Sequence, residues 1–252
     1  MSSRLDQLLV ERGLFPSREQ ARRAVMAGVV SVAGQRVDKP GTAVDSAAAV
    51  AVTAREPFVS RAGRKLAAGL DHFGLQPAGW VCLDAGASTG GFTDCLLQRG
   101  AARVYALDVG YGQLDAKLRG DPRVTVMERI NARHLRADAL PELCDLITMD
   151  LSFISLDKVV PAILPHLRPG GLLLPLIKPQ FEAGRGAVGK GGILRDEALR
   201  RRVVEECAAR LASLGDPAGG GVGLGLIGLF DSPVAGSGGN RETFALLSWR
   251  GR

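Results

Sequence analysis

The sequence predicts an α/β chain: a parallel sheet covered by helices on both faces, preceded by a small α+β unit. Three observations predict it. Compact apolar runs recur at Trp80–Asp84, Val104–Asp108, Leu146–Asp150 and Leu172–Ile177, the last followed by Lys178. Helical segments separate several of them, and a glycine-rich stretch follows the first. Apolar runs alternating with helices are the pattern of strands buried on both faces.

The N-terminal piece reads differently. Leu5, Leu8, Leu9 and Val10 have helical spacing, with Gly13 as a stop. Ser17 opens a second helix, and Gln20 three places on completes a capping-box pattern. That helix carries Arg18, Arg22 and Arg23, and Gly28 ends it. Val29–Val32, a turn at Gly34 and Arg36–Val37 form a short hairpin, Lys39–Gly41 a further turn, and Ala48–Thr53 a closing strand. After Pro57 the pattern changes. Ser60–Phe73 is predicted helical, as are Leu156–Leu167 and Asp196–Leu214. Val124–Met127 is a short strand, and the glycine-rich Gly219–Gly239 a strand with irregular loops. The domain reading is therefore residues 1–53, a linker at 54–59, and residues 60–252.

Composition narrows the function. Hydrophobic residues make up 46% and charged residues 23%, a globular balance rather than a disordered one. The net charge of +6 favours a polyanionic partner. Residues 1–55 carry eight basic and five acidic side chains, so half of that excess sits in about a fifth of the chain. Cys82, Cys95, Cys144 and Cys207 lack metal-ligand spacing and read as buried free thiols of a reducing compartment. Three histidines are too few for a His-rich centre, so no metal is expected. No G-x-S-x-G elbow supports a serine triad. The N-terminus has no apolar h-region, and no stretch reaches the ~18 uncharged apolar residues of a membrane span.

The loop Asp84-Ala-Gly-Ala-Ser-Thr-Gly-Gly-Phe92 follows the first strand of the sheet, where backbone can approach a ligand closely. A dinucleotide fingerprint would place a glycine where Ser88 stands. Asp108, ending the next strand, can accept hydrogen bonds from ribose hydroxyls. Asp84 decides between nucleotides. An acid opening the loop repels a pyrophosphate, whereas it can hold the ammonium of a methionine-bearing cofactor, directly or through water.

These residues resemble a known family. DAGASTGGFTDCLLQRGA and VYALDVGYGQL, with SRAGRKL, MDLSFISL, LIKPQFEAGR, VGKGGILRD and SPVAGSGGNRE, resemble the TlyA family of ribosomal RNA methyltransferases, within the FtsJ/RrmJ class of ribose 2′-O-methyltransferases. The likeness spans residues 4–250. RLDQLLVERGLFPSREQARRAVMAGVVSVAGQRV is similar to the alpha-L RNA-binding module of a small-subunit ribosomal protein. Two positions depart from the family pattern: Ala62 stands where a glycine is usual and Ser237 where a proline is common.

The resemblance implies a Rossmann-like, S-adenosylmethionine-dependent methyltransferase domain joined to an RNA-binding domain. It implies a cytoplasmic enzyme acting on a cytidine ribose of large-subunit rRNA, with or without a second in small-subunit rRNA, and ribosomal RNA or ribosomal subunits as partners. The Lys-Asp-Lys-Glu tetrad of the class falls on Lys65, Asp150, Lys178 and Glu242. A sulfonium methyl is already electrophilic, so catalysis needs alignment and removal of one proton. Lys178, ending a buried strand, is the expected proton acceptor or guide, desolvation being expected to lower its pKa. Asp150 is expected to orient it, with Lys65 and Glu242 fixing geometry and charge. The cofactor set is Asp84, Gly86, Ser88, Thr89, Gly90, Gly91, Phe92, Asp108 and Val109, with Asn131 at the adenine edge. RNA contacts are expected from Arg4, Arg18, Arg22, Arg23 and Arg36, mainly to phosphate. Aromatic residues at 5% argue against extensive base stacking by this module. The rivals are a non-catalytic RNA-binding protein that has kept the cofactor fold, a membrane-active haemolysin, and an NAD-dependent dehydrogenase. The complete tetrad opposes the first, the lack of a span or amphipathic insertion segment the second, and the missing glycine the third.

Overall fold

The computed structural model describes residues 2–26, 28–52, 57–183, 189, 192–214, 223–236 and 238–251. The chain forms two compact units, Met1–Glu56 and Pro57–Arg252.

In the first unit, helices α1 (Leu5–Glu11) and α2 (Arg18–Met26) pack together over short strands. The Gln20 backbone N–H donates to Ser17 Oγ at 3.3 Å, which is the N-terminal half of the capping pattern. β2 (Val30–Val32) pairs antiparallel with β3 (Gln35–Arg36) and β5 (Val50–Val52), giving the expected hairpin and closing strand. A second ribbon was not legible: β1 (Ser2–Arg4) pairs with β4 (Ala43–Asp45). The core is Leu5, Leu8, Leu9, Ala21, Val25, Val30 and Val44.

The second unit opens with residues assigned by sequence to the linker. Pro57 O accepts from Gln98 Nε2, and the Val59 N–H donates to the Asp94 carboxylate, so these positions are held by the unit itself. Ala54–Glu56 and Thr53, like Ser237, lie outside the described residues. Helix α3 (Ala62–His72) precedes β6 (Val81–Ala85), α4 (Gly91–Gln98), β7 (Arg103–Leu107), α5 (Ala116–Arg119) and β8 (Val124–Met127). Then come β9 (Cys144–Met149), α6 (Val160–Ile163), β10 (Leu167–Ile177), α7 (Pro179–Glu182), α8 (Glu197–Ala212), β11 (Leu224–Asp231) and β12 (Thr243–Trp249).

Among the described residues these strands form a seven-stranded sheet in the order β11-β12-β10-β9-β6-β7-β8. β10, β9, β6, β7 and β8 are parallel. The expectation of a parallel sheet is corrected at one edge, where β12 runs antiparallel to both β10 and β11. Alternation along the strands explains why the runs are apolar throughout. Cys82, Val104, Leu146 and Phe244 face α3 and α4, while Leu83, Tyr105, Ile147 and Ala245 face α6 and α8. All four cysteines are buried, and burial pushes the Cys95 and Cys144 thiols up to about 12.

A second correction concerns the helix expected at Leu156–Leu167. It is broken into a 3₁₀ turn (Leu156–Lys158), α6 and a second 3₁₀ turn (Leu164–His166). Pro161 and Pro165 each lack the N–H that a continuous helix needs and stand in the first turn of the piece that follows. Ala62 is tolerated because Gly91 faces it. A Cβ on Gly91 would lie 2.9 Å from both Ala62 Cβ and the Gly63 nitrogen.

Candidate active site

The chain runs β6, β7, β8 outward to one side and then returns to place β9 on the other side of β6. The loops leaving β6 and β9 therefore diverge, and ligands bind in such crevices. A cavity of about 570 Å³ lies there, a volume suited to a small-molecule cofactor. Its walls are Gly86 and Ser88 from the β6 loop, Asp108 and Val109 after β7, Asn131, and Asp150–Ile154 after β9. A smaller cavity of about 190 Å³ shares Gly86, Ser88, Asp150 and Ser152 with it and adds Thr89, Phe92 and Lys178.

The β6 loop is shaped by left-handed backbone. Gly86 (φ 89°), Ser88 (φ 48°) and Gly90 (φ 95°) all adopt positive φ. Ser88, standing where a dinucleotide loop has glycine, is held there by its N–H donating to Asp108 Oδ2 at 2.8 Å and its Oγ to Gln113 Oε1 at 3.2 Å. The Gly110 N–H donates to Asp108 Oδ1 at 2.6 Å. Each Asp108 oxygen thus holds one N–H and, as a carboxylate oxygen, has acceptor capacity left. Asn131 Oδ1 accepts from the Arg133 N–H, which leaves the amide N–H₂ as donors.

Asp84 is placed differently from the expectation. It lies inside β6, fully buried, and lines neither cavity. Its Oδ2 accepts from the Thr93 N–H at 2.9 Å and Thr93 Oγ1 at 2.7 Å, tying β6 to α4, while Oδ1 has no hydrogen-bond partner among the described residues. Burial raises its pKa to about 7 against the Thr93 bonds, with Asp150 and Asp108 adding to the rise. Alternation of side chains along a strand sends Asp84 under the loop rather than into the crevice. Gly90 and Gly91 also act by packing. A side chain on Gly90 would strike Leu118 and Leu114, and one on Gly91 would strike Ser60.

The four residues of the expected tetrad form two ion pairs. Lys178 Nζ lies 2.7 Å from Asp150 Oδ1 and donates to Ser152 Oγ at 3.0 Å, at the wall of the smaller cavity. Lys65 Nζ donates to Glu242 Oε2 at 2.6 Å, with side chains 10% and 3% exposed. This second pair lines neither cavity. The loop between β11 and β12 serves it: a side chain on Gly236 would strike the Glu242 carboxylate, and buried Asn240 braces the loop through the Leu194 N–H and Gly192 O.

The fold and site have relatives. Residues 58–216 match the FtsJ-like methyltransferase family, and residues 3–50 match the S4 domain. The chain belongs to the FtsJ-like methyltransferase family. It is 48% identical, over 97% of its length and 89% of the relative's, to a Mycobacterium tuberculosis protein named 16S/23S rRNA (cytidine-2′-O)-methyltransferase TlyA. It is 40% identical to Hemolysin A of Brachyspira hyodysenteriae over 96% of this chain and 98% of that one. A solved structure from Streptococcus thermophilus that carries the hemolysin name aligns with a TM-score of 0.74 at 41% identity, covering 98% of this chain and 88% of that one. The family is one of enzymes, and this chain is a methyltransferase of TlyA type. Among the described residues no helix is long and apolar enough to cross a membrane.

Several lining residues were not singled out from sequence. Gln113 and Ser152 lie within VYALDVGYGQL and MDLSFISL, but nothing local marks them as orienting Ser88 and Lys178. Phe153 is 90% exposed at a φ of 63° and meets Phe181 with ring centroids 4.8 Å apart. A bulky residue in the left-handed region cannot be foreseen from its neighbours.

The arginines of the S4 unit divide. Arg4 Nε and Nη2 donate to Asp6 at 3.1 and 3.2 Å, and Arg18 Nε donates to Asp6 Oδ2 at 2.9 Å. Asp6 is fully buried. Burial alone would raise its carboxyl, but the two guanidiniums hold it below the usual range. Arg23 pairs with Glu19, one turn back, and the Arg36 guanidinium lies over Gly28. Arg22 is exposed, and among the described residues no hydrogen bond or ion pair holds it.

Proposed function

We propose that the protein transfers a methyl group from S-adenosylmethionine to the 2′-hydroxyl of a cytidine in ribosomal RNA, with the S4 unit gripping the RNA. The observation that carries the reading is the Lys178–Asp150 pair at the wall of a cavity that shares four residues with the cofactor-sized crevice. The donor set fits the cofactor. Asp108 suits a ribose diol, the Asn131 amide suits acceptor nitrogens of a purine edge, and Leu107, Ile130, Leu151 and Ile154 supply apolar walls. When bound, the cofactor supplies an activated methyl group.

The chain's own residues do the rest. Lys178 Nζ accepts or steers the 2′-hydroxyl proton as the ribose oxygen forms its new bond to carbon. Asp150 and Ser152 fix where Nζ points. Lys65 and Glu242 brace the same end of the fold through α3 and β12. Asp84 supports the loop from beneath, and Gly86, Ser88, Thr89 and Phe92 of that loop, with Val109, would hold the cofactor.

A cytidine of large-subunit rRNA is the proposed target, and the name of the M. tuberculosis relative supports a second in small-subunit rRNA. The proposed compartment is the cytoplasm, where that substrate is. Arg4, Arg18, Arg22, Arg23 and Arg36 contact phosphate.

The test is transfer of labelled methyl from S-adenosylmethionine to separate small and large subunits from cells lacking the modification, with Lys178→Ala alongside. Label on a cytidine ribose, lost in the variant, is the expected result. Full transfer by Lys178→Ala removes the proton role, and no transfer to either subunit by protein that binds the cofactor overturns the substrate.

A further inference from the structure

We propose that Glu182 is a positioning residue that sets the Lys178–Asp150 geometry from the far end of the active-site wall, a role that rests on the reading of that pair above. Glu182 stands in α7, four residues beyond Lys178, with its side chain only 2% exposed. A buried carboxylate is costly unless donors surround it, and here three do. Glu182 Oε1 accepts from the Leu156 N–H at 2.8 Å. Oε2 accepts from Arg210 Nη2 of α8 at 2.8 Å and from Ser155 Oγ at 2.6 Å, whose single proton is shared with Asp157 Oδ1 at 2.5 Å.

What these bonds hold is the wall. β9 and β10 are neighbouring parallel strands, paired to Met149 and Pro175, and each then runs on into the site. The extension of β9 is Asp150–Leu156, and that of β10 is Lys178–Glu182. Side chains tie the two together at three levels. At the strand ends Lys178 meets Asp150 and Ser152. Midway, Phe153 meets Phe181. At the far end Glu182 takes Ser155 and Leu156. Asp150–Ile154, between the first tie and the last, lines the larger cavity.

An apolar residue at 182 could fill the space against α8, but it could not catch the Leu156 N–H and Ser155 Oγ. Without that tie the β9 extension keeps its root and the exposed Phe153–Phe181 contact but loses the polar anchor at its far end. Asp150 and Ser152, which aim Lys178, then lie on a segment free to shift. Glu182 itself lines neither cavity, so it acts through Lys178. Misplacement by about 1 Å of a group that must meet a proton costs on the order of a hundred-fold in rate.

The test uses the full chain, S-adenosylmethionine and unmethylated ribosomal subunits. Glu182→Gln keeps an oxygen for the Leu156 N–H and removes the charge, while Ser155→Ala cuts the tie from the other side. Turnover is expressed per cofactor-binding site, counted by titration. The expected result is a fall in kcat of about ten- to a hundred-fold for Glu182→Gln, an unchanged KM for the subunit, and a fall in the same direction for Ser155→Ala. The double variant should lose no more than the worse single, because both remove one tie. A lower melting midpoint and fewer binding sites with kcat per site unchanged would make Glu182 structural and overturn the proposal. Losses that multiply in the double variant would overturn the shared tie. Lys178→Ala run alongside separates the two readings: if it keeps full turnover, the assignment of the lysine falls and the role of Glu182 with it.

Discussion

Lys65→Met removes the ammonium from the buried pair and leaves Glu242 with no paired cation among the described residues, in a site where its side chain is 3% exposed. Breaking such a pair costs about 3–5 kcal/mol, because the remaining charge is desolvated without compensation. For a domain of this size each kcal/mol moves the melting midpoint by roughly 2–4 °C, so the drop should be about 6–20 °C. Both tryptophans, Trp80 and Trp249, lie in the second unit, so their fluorescence follows its unfolding alone. Lys65→Met/Glu242→Gln removes both charges and should recover most of the loss, since neutral replacement of a buried pair is often close to neutral in energy. Methyl transfer by the double variant, assayed well below its midpoint, then separates the two roles of the pair. Restored stability without activity means the charges serve turnover. A drop of less than about 2 °C for Lys65→Met would refute the burial argument, and full activity in the double variant would remove this pair from the chemistry.

Two further predictions concern residues outside that pair. Asp84 binds its proton more tightly folded than unfolded, with a folded value of about 7 set first by burial. Stability should therefore fall as pH rises from about 4 to about 7, the window in which the folded state holds the extra proton. Asp84→Asn should remove that fall and outlast the parent by a margin that grows from pH 5 to pH 8 in thermal melts; equal pH slopes would show that Asp84 is ionised when folded. Arg22→Ala should weaken RNA binding across sequences and lower the slope of log affinity against log salt by about one, measured by filter binding from 50 to 200 mM salt; an unchanged slope would take Arg22 off the phosphate.

The sheet was readable because its strands are buried on both faces. Val81–Ala85 and Cys144–Met149 announce themselves as continuous apolar runs, and their carboxyl ends mark the crevice wherever the helices lie. β12 is hidden in the sequence because it follows a glycine-rich loop and no helix. Its antiparallel pairing with β10 depends on a chain reversal that leaves no periodic trace. The broken helix at Leu156–His166 was readable in principle, since two prolines four apart argue against continuity. Asp84 shows the limit at the site. Sequence correctly marks an acid at the root of the loop, but whether it faces ligand or core is decided by the parity of one residue along β6. Ser152, Gln113 and Glu182 take their meaning from partners 26, 25 and 27 positions away, beyond any local pattern.

The S4 unit raises the same question about charge. A basic face built from arginines is self-repelling, and long side chains lose rotamer entropy when they grip a phosphate. Asp6 answers both difficulties with one buried carboxylate. It draws Arg4 from β1 and Arg18 from α2 to a common point and leaves each guanidinium about half exposed. Arg4 spends Nε and Nη2 on Asp6, and Arg18 spends only Nε. A guanidinium has five donors, so each retains N–H groups that Asp6 does not use. Under the RNA-binding reading the two are therefore prepaid contacts, ordered before any RNA arrives, whereas Arg22, one turn beyond Arg18, must be ordered on binding. Losing Asp6 would cost RNA affinity without removing a single cation, because the two guanidiniums would disperse.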